Sequence, residues 1–131
     1  MKSARLFFLL AVVLTLTCSA VAQEGHPLTG TWYGDFGMTP TQRHDLTVVM
    51  KWDGQATSGI VNPGPNAATI KTATLDGAWT VHFEIDAKNK AGGTDRFIFD
   101  GKILNPIATN RRIEGTWTCG NTKGDFKLRR L

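Results

Sequence analysis

Short runs of alternating apolar and polar residues, separated by turn signals, constrain the fold of this chain more than any other feature. The clearest run spans residues 79–86, where Trp79, Val81, Phe83 and Ile85 alternate with polar residues. A period of two is that of a β-strand with one buried face. No window of the sequence shows a convincing helical period, so the chain is predicted to be all-β.

Eight such runs follow one another along the chain. Strands are predicted at residues 29–36, 45–52, 56–61, 69–75, 79–86, 96–103, 112–119 and 125–130. The segments between them are too short for a crossover helix, so neighbouring strands should pair antiparallel. One face is apolar nearly throughout, which favours an eight-stranded antiparallel up-and-down β-barrel without exposed edges. A β-sandwich is the alternative.

The first 22 residues have the features of a secretory signal peptide. Lys2 and Arg5 form a basic start, residues 6–16 are apolar, and the small residues 20–22 form a cleavage site. The sequence thus predicts a signal peptide at 1–22 and a single barrel domain at 23–131, secreted or periplasmic. The apolar run is too short to span a bilayer and no second one follows, so no integral membrane contact is expected.

The charge and the reactive side chains of the sequence disfavour several functional classes. Removing Lys2 and Arg5 lowers the net charge from +4 to +2, which is too little for a nucleic-acid partner. Cys119 is the one cysteine after residue 22, and either a small buried hydrophobe or a reactive thiol fits it. The three histidines lack metal-ligand spacing, and His82 lies on the polar face of its strand. We predict no enzyme, no metal site and no cofactor.

The apolar faces define the predicted interior. It comprises Trp32, Phe36, Leu46, Val48, Met50, Trp52, Ile60, Ile70, Trp79, Val81, Phe83, Ile85, Phe97, Phe99, Ile103, Ile113, Trp117, Phe126 and Leu128. Barrels of eight strands are either filled by such side chains or hold one small ligand, and both alternatives stay open. A pocket is expected at the end opposite Trp32. Its wall would be Trp52, Trp79 and Trp117, with the small residues Ala56, Ser58, Thr72 and Thr74 turned inward.

Short motifs in the same order resemble streptavidin and the other avidins, which are eight-stranded barrels. They are Gly30-Thr31-Trp32-Tyr33 with Gly37, Asp53-Gly54 with Ser58-Gly59, Gly77 with Trp79-Thr80-Val81, Asp100-Gly101, and Arg112-Ile113 with Trp117. Gly-x-Trp is also typical of the first strand of lipocalins. The resemblance supports the barrel and implies a binding function.

The resemblance also indicates which biotin-binding residues of avidins are kept in this sequence and which are replaced. Trp117 matches a biotin-contacting tryptophan of avidins, and Asp125 matches their late aspartate. The polar positions that hold the biotin ureido group fall at Gly34, Met38, Val61 and Phe97, which cannot make those hydrogen bonds. Biotin is therefore not the expected ligand. In lipocalin-type barrels a late arginine packs across the first tryptophan, which implies a cation–π contact of Arg130 with Trp32.

Two functions follow as hypotheses. The first is a secreted, non-enzymatic barrel, a monomer or weak homo-oligomer, that binds a small apolar or aromatic molecule. The second is a filled barrel that serves as a structural or protein-interaction module of the cell envelope or extracellular space. Predicted ligand-binding residues are Trp52, Ser58, Thr72, Trp79, Phe83, Phe97, Trp117 and Asp125. A structural plug is predicted from Gly30, Trp32 and Arg130.

Overall fold

The computed structural model describes residues 26–131, so the predicted signal peptide lies outside the described residues. The strands are β1 (Gly30–Thr39), β2 (Gln42–Trp52), β3 (Thr57–Val61), β4 (Ala68–Leu75), β5 (Thr80–Lys88), β6 (Thr94–Leu104), β7 (Arg112–Cys119) and β8 (Thr122–Arg130). No helix in the described range is long and apolar enough to cross a membrane.

The strands form a closed barrel in sequence order. Each pairs antiparallel with the next, and β1 also pairs with β8, where Trp32 lies opposite Arg130. The predicted up-and-down barrel is thereby confirmed in place of the alternative sandwich. We call the end where β1 begins the Trp32 end, and the end where β2 begins the open end.

The barrel interior is apolar, and most of the predicted interior positions are buried in it. Two buried residues, Leu28 and Val61, were not predicted. The buried apolar set is Leu28, Trp32, Leu46, Val48, Met50, Val61, Ile70, Val81, Phe83, Ile85, Phe99, Ile103, Ile113, Trp117, Phe126 and Leu128. Burial of this surface is the main favourable contribution to folding.

Gly115 on β7 is needed for the close packing of β7 against β6. It lies directly opposite Gly101 of β6. A Cβ on Gly115 would overlap with the main-chain oxygen of Asp100 and with the Cα of Gly101. Because those atoms are backbone, they cannot move aside. Two facing glycines therefore set the local approach of β6 and β7.

In β3, the sequence prediction of which residues face the barrel interior is wrong. Its register places Gly59 opposite Met50 and Val61 opposite Val48, and paired residues of a sheet face the same side. Thr57, Gly59 and Val61 therefore point inward, while Ser58 is exposed and Ile60 is 46% exposed. Ala56 precedes the strand and is exposed as well.

In the second half of β4, the prediction of which residues face the barrel interior is also wrong. The register with β5 shifts between Ile70 and Thr72, as a β-bulge does. The extra residue reverses the alternation, so Ala73 and Leu75 turn inward and Thr72 and Thr74 outward.

Trp79 does not belong to β5, although the alternation includes it. Its φ is 63°, and its N–H donates to the carbonyl of Asp76 in the preceding turn. Trp79 as a whole residue is 37% exposed. Trp79 and Trp52 both lie at the Trp32 end, so the predicted wall of three tryptophans with Trp117 does not form.

Candidate functional site

The open end of the barrel contains a cavity of about 820 Å³. This is the end opposite Trp32, where the sequence predicted a pocket. The residues that line it come from β1, β2, β6, β7 and β8 near the open end and from the loops between strands. They are Phe36, Gly37, Met38, Thr41, Gln42, Arg43, His44, Asp45, Asn62, Phe97, Trp117, Cys119 and Thr122.

Three aromatic rings converge in this cavity. Phe36 meets Trp117 edge to face at 5.5 Å between ring centroids, and it meets Phe97 edge to face at 6.3 Å. Phe97 and Trp117 are 5.8 Å apart and tilted by 41°. Such contacts fix the ring orientations relative to one another. The three residues, which we call the aromatic cluster, present flat apolar surfaces to the cavity.

The indole of Trp117 is held in place from its polar edge. Its Nε1 donates a hydrogen bond to the main-chain oxygen of Gly37 at 3.3 Å. On the neighbouring strand, a Cβ on Gly124 would lie 2.8 Å from that same nitrogen. Because Gly124 has no side chain, the indole fits against the strand. The ring is thereby fixed, with its polar atom already paired.

A second cavity of about 130 Å³ adjoins the first. Phe36, Phe97 and Asn62 line both, so these side chains separate the two spaces. Its remaining lining is largely apolar and includes Leu46 and Ile85. The open end thus offers one large space and one small apolar extension of it.

Cys119 lies on the inward side of β7 and lines the large cavity. Burial raises the pKa of its thiol, and the nearby carboxylate of Asp95 raises it further. The thiol is therefore protonated at neutral pH and is a poor nucleophile. This favours the small-hydrophobe interpretation of Cys119 over the reactive one.

The charge at the rim is paired on the outer surface. Arg43 donates to Asp35 at 2.5 Å and to Asp125 at 2.6 Å, and so connects β2, β1 and β8. The guanidinium holds the pKa of Asp125 below its usual range. Asp125 is 64% exposed on the outer wall, away from the aromatic cluster. Asp125, which the resemblance to avidins suggested as a ligand-binding residue, therefore lies outside the large cavity.

The predicted ligand residues separate into several groups. Phe97 and Trp117 come together in the cavity. Phe83 lies deeper in the core, stacked on Phe99 with 4.6 Å between centroids. Trp52 and Trp79 lie at the Trp32 end, and Ser58, Thr72 and Asp125 lie on the outer surface. The role of Phe36 in the site was missed, although its inward parity was predicted and its strand leads to the open end.

The Trp32 end is closed by the lead-in segment. Leu28 and Trp32 are both 0% exposed, and His26 stacks on Trp52 at 4.5 Å. Arg130 donates to the main-chain oxygen of Thr29 at 3.1 Å and lies against Gly30. The plug predicted from Gly30, Trp32 and Arg130 is thus enlarged by residues that precede β1.

The predicted cation–π contact of Arg130 with Trp32 is replaced by another arrangement. Arg130 uses its guanidinium on the Thr29 carbonyl. Among the described residues, the cation–π contact is that of Arg129 with the ring of Tyr33, 6.0 Å from the centroid on the outer wall. Arg130 therefore holds the lead-in segment by a charge-assisted hydrogen bond.

His82 lies between two carboxylates on the outer wall. Its Nδ1 is 2.5 Å from Asp100 and its Nε2 is 3.0 Å from Glu84. These hydrogen bonds, the one to Asp100 first, raise the pKa of the imidazole. Within residues 26–131, no group of three or more His, Cys, Asp or Glu side chains has the arrangement of a metal site.

Comparison of the chain with protein-family models, with curated proteins and with solved structures gives no match. An eight-stranded barrel is shared by avidins, lipocalins and other families. The resemblance to avidins therefore stays a prediction, and function has to be argued from the site itself.

Proposed function

We propose that this protein is a secreted or periplasmic, non-enzymatic barrel that binds a small apolar or aromatic molecule at its open end. The observation that carries the proposal is the cavity of about 820 Å³ lined by the aromatic cluster. Cavities of roughly 300–1,000 Å³ with apolar walls and few polar groups are typical of small-molecule sites.

The chemistry of the lining favours a neutral ligand with a flat apolar part. Phe36, Phe97 and Trp117 offer ring faces and edges, to which another ring or an aliphatic chain can pack. Arg43 is already paired with two carboxylates, and the Trp117 indole is paired with a carbonyl. The lining also includes His44 and Asp45, and the imidazole of His44 contacts the ring of Phe36 at 5.5 Å between centroids.

Polar groups of a ligand would face the rim. Gln42, Thr41 and Thr122 line the mouth of the cavity and are exposed. Each can donate or accept a hydrogen bond. A ligand with an apolar body and a neutral polar tip satisfies both regions, because its body replaces water against the aromatic cluster while its tip stays hydrated.

The proposal is tested by titration with the neutral dye N-phenyl-1-naphthylamine, whose emission rises in apolar sites. We expect saturable enhancement with one site per chain. Cys119→Phe fills the cavity and should weaken dye binding at least tenfold. Thr118→Phe places the same side chain on the outer face of the same strand and is the matched control.

Two results would count against the proposal. One is a wild-type protein that gives no dye enhancement, which favours the filled interaction module instead. The other is equal dye affinity in Cys119→Phe and Thr118→Phe, since the dye would then bind somewhere other than the cavity.

A further inference from the structure

The barrel wall has a seam between β3 and β4. These strands pair only at Ile60 with Thr69 and at Val61 with Ala68, close to the open end. In the described structure, residues 57–59 and 71–75 have no partner across the seam. On their other side, residues 57–59 pair with β2 and residues 72–75 pair with β5. The gap therefore lies inside an otherwise continuous wall.

The bulge in β4 accounts for the seam. The register shift between Ile70 and Thr72 comes directly after the last paired residues. A bulge bends the strand that carries it and increases its twist. Beyond this point β4 follows β5 and diverges from β3. The side chain of Ile70 packs under Gly59 and marks the place where the seam begins to open.

A cleft of about 420 Å³ lies along the open part of the seam. Residues 55–57 form one side and residues 71–75 form the other, while Trp52 and His26 lie between them. Those two rings stack at 4.5 Å and 15°, so they form one flat aromatic surface. The cleft thus combines the edge of β4 and the start of β3 with a base of two aromatic rings.

The chemistry of a strand edge determines what can fill this cleft. An unpaired edge presents main-chain N–H and C=O groups at the spacing of a β-strand, and an extended polypeptide is complementary to it. We propose that the seam binds an extended peptide segment of a partner protein, which adds a ninth strand to the wall at the Trp32 end. Inserted between two antiparallel strands, it runs antiparallel to one and parallel to the other.

The side chains around the cleft indicate the sequence of such a segment. Alternate residues of an inserted strand point to opposite faces. Those that point inward meet Leu75 and the stacked rings of Trp52 and His26, so they should be apolar. Those that point outward lie beside Thr72 and Thr74 and should be polar.

Charge favours an acidic residue near the bulge. The side chain of Lys71 is 54% exposed at the edge, and its nearest carboxylate, Asp86, is 4.0 Å away and also bound by Arg96. A carboxylate on the peptide would pair with Lys71. Two Lys71 side chains would repel each other if the edges of two copies met, so a linear segment with an acidic residue is favoured over a second barrel.

Amide hydrogen exchange tests the seam in the free protein. Some amides of residues 57–59 and 71–75 should exchange at least a hundredfold faster than amides of β6 and β7, which are paired on both sides. Uniformly slow exchange across β3 and β4 would show a closed wall and would overturn the proposal.

A peptide tests the binding. The probe is an acetylated, amidated heptapeptide that alternates threonine and valine and has glutamate at both ends. It should bind saturably and slow the exchange of the seam amides. The control is the same peptide with N-methyl groups on alternate residues, which removes main-chain donors and should weaken binding at least tenfold. Equal affinity of the two peptides, or no binding of the first, would overturn the proposal.

Matched variants locate the binding and separate this site from the open cavity. Ala73 and Ala87 are both half-buried, inward-facing residues, at the cleft and near the open end respectively. Ala73→Phe should abolish peptide binding and retain dye binding, whereas Ala87→Phe should retain peptide binding. Undiminished peptide binding by Ala73→Phe would overturn the assignment of the peptide site to the seam. A protein that binds the peptide but not the dye would contradict only the proposed function, not the peptide site.

Discussion

Trp32 donates its indole N–H to the main-chain oxygen of Leu28 at 2.8 Å, and both side chains are completely buried. The bond joins the wall of the barrel to the segment that precedes β1. Leu28 thus belongs to the core although it lies outside every strand. The closed end is therefore stabilised by this segment as well as by the strands.

Leu28→Ala should lower the free energy of unfolding by about 2–5 kcal/mol, because it removes buried methyl groups and leaves a cavity beside Trp32. Ile107→Ala is the control, since Ile107 is 89% exposed and its truncation should change stability by less than about 0.5 kcal/mol. Urea unfolding followed by tryptophan fluorescence measures both. Equal effects would show that the lead-in segment is not part of the core.

Gly115→Ala should destabilise the barrel by more than about 4 kcal/mol, a size seen when an added side chain meets atoms that cannot move. The added Cβ would overlap with main-chain atoms of Asp100 and Gly101. Gly77→Ala is the control, because nothing lies within 4 Å of its Cβ position. Thermal unfolding of the two variants should separate them clearly, and a folded Gly115→Ala protein of normal stability would contradict the packing described.

The stability difference between wild type and His82→Gln should depend on pH. Asp100 and Glu84 raise the pKa of His82 in the folded protein above its unfolded value of about 6.5. The ion pairs therefore contribute fully below pH 6.5, and their contribution is lost as pH rises through the folded pKa. Since the site is partly exposed, the difference should not exceed about 1 kcal/mol.

Urea unfolding of both proteins from pH 5 to pH 9 measures this difference. The gap between the unfolding midpoints should be largest at the acidic end and should shrink toward pH 9. A gap that grows with pH would have the opposite sign and would mean that folding lowers the pKa of His82 instead of raising it.

Arg43→Lys should destabilise the barrel by about 1 kcal/mol, because lysine keeps the charge but cannot bridge Asp35 and Asp125 with a planar fork. Much of the electrostatic part should disappear in 1 M salt. Arg112→Lys is the control, since within residues 26–131 Arg112 has a single ion pair, with Glu114 at 3.6 Å, and its side chain is 52% exposed. Equal losses in the two variants would contradict a special role for Arg43.

Alternation predicted most of this fold because it follows directly from strand geometry. In β5 the sequence of apolar and polar residues is regular, and Val81, Phe83 and Ile85 are buried as predicted. In β3 it is weak, since Gly59 has no side chain and Ile60 is apolar but faces outward. In β3, the register of pairing with β2 determines which residues face the interior. That register cannot be read from the local sequence pattern.

The remaining differences also have local causes. The bulge after Ile70 adds one residue without a sequence signal and reverses the faces of Thr72 and Thr74. The left-handed φ of Trp79 begins β5 one residue later than the alternation suggests. The cavity lies at the predicted end, but Trp52, Trp79 and the four small residues predicted to line it lie toward the other end. The reason is that neighbouring strands run in opposite directions, so residues near the end of β2 and the start of β3 come to the Trp32 end.

Among residues 26–131, Leu28 and Trp32 close one end of the barrel, and the large cavity opens at the other end. A molecule held in that cavity enters and leaves by the same route, so one occupant must depart before another arrives. A ligand longer than the depth of the cavity would be bound at one end only, and its other end would stay in solvent. Selection by this protein would then act on one end of a molecule and tolerate variety at the other.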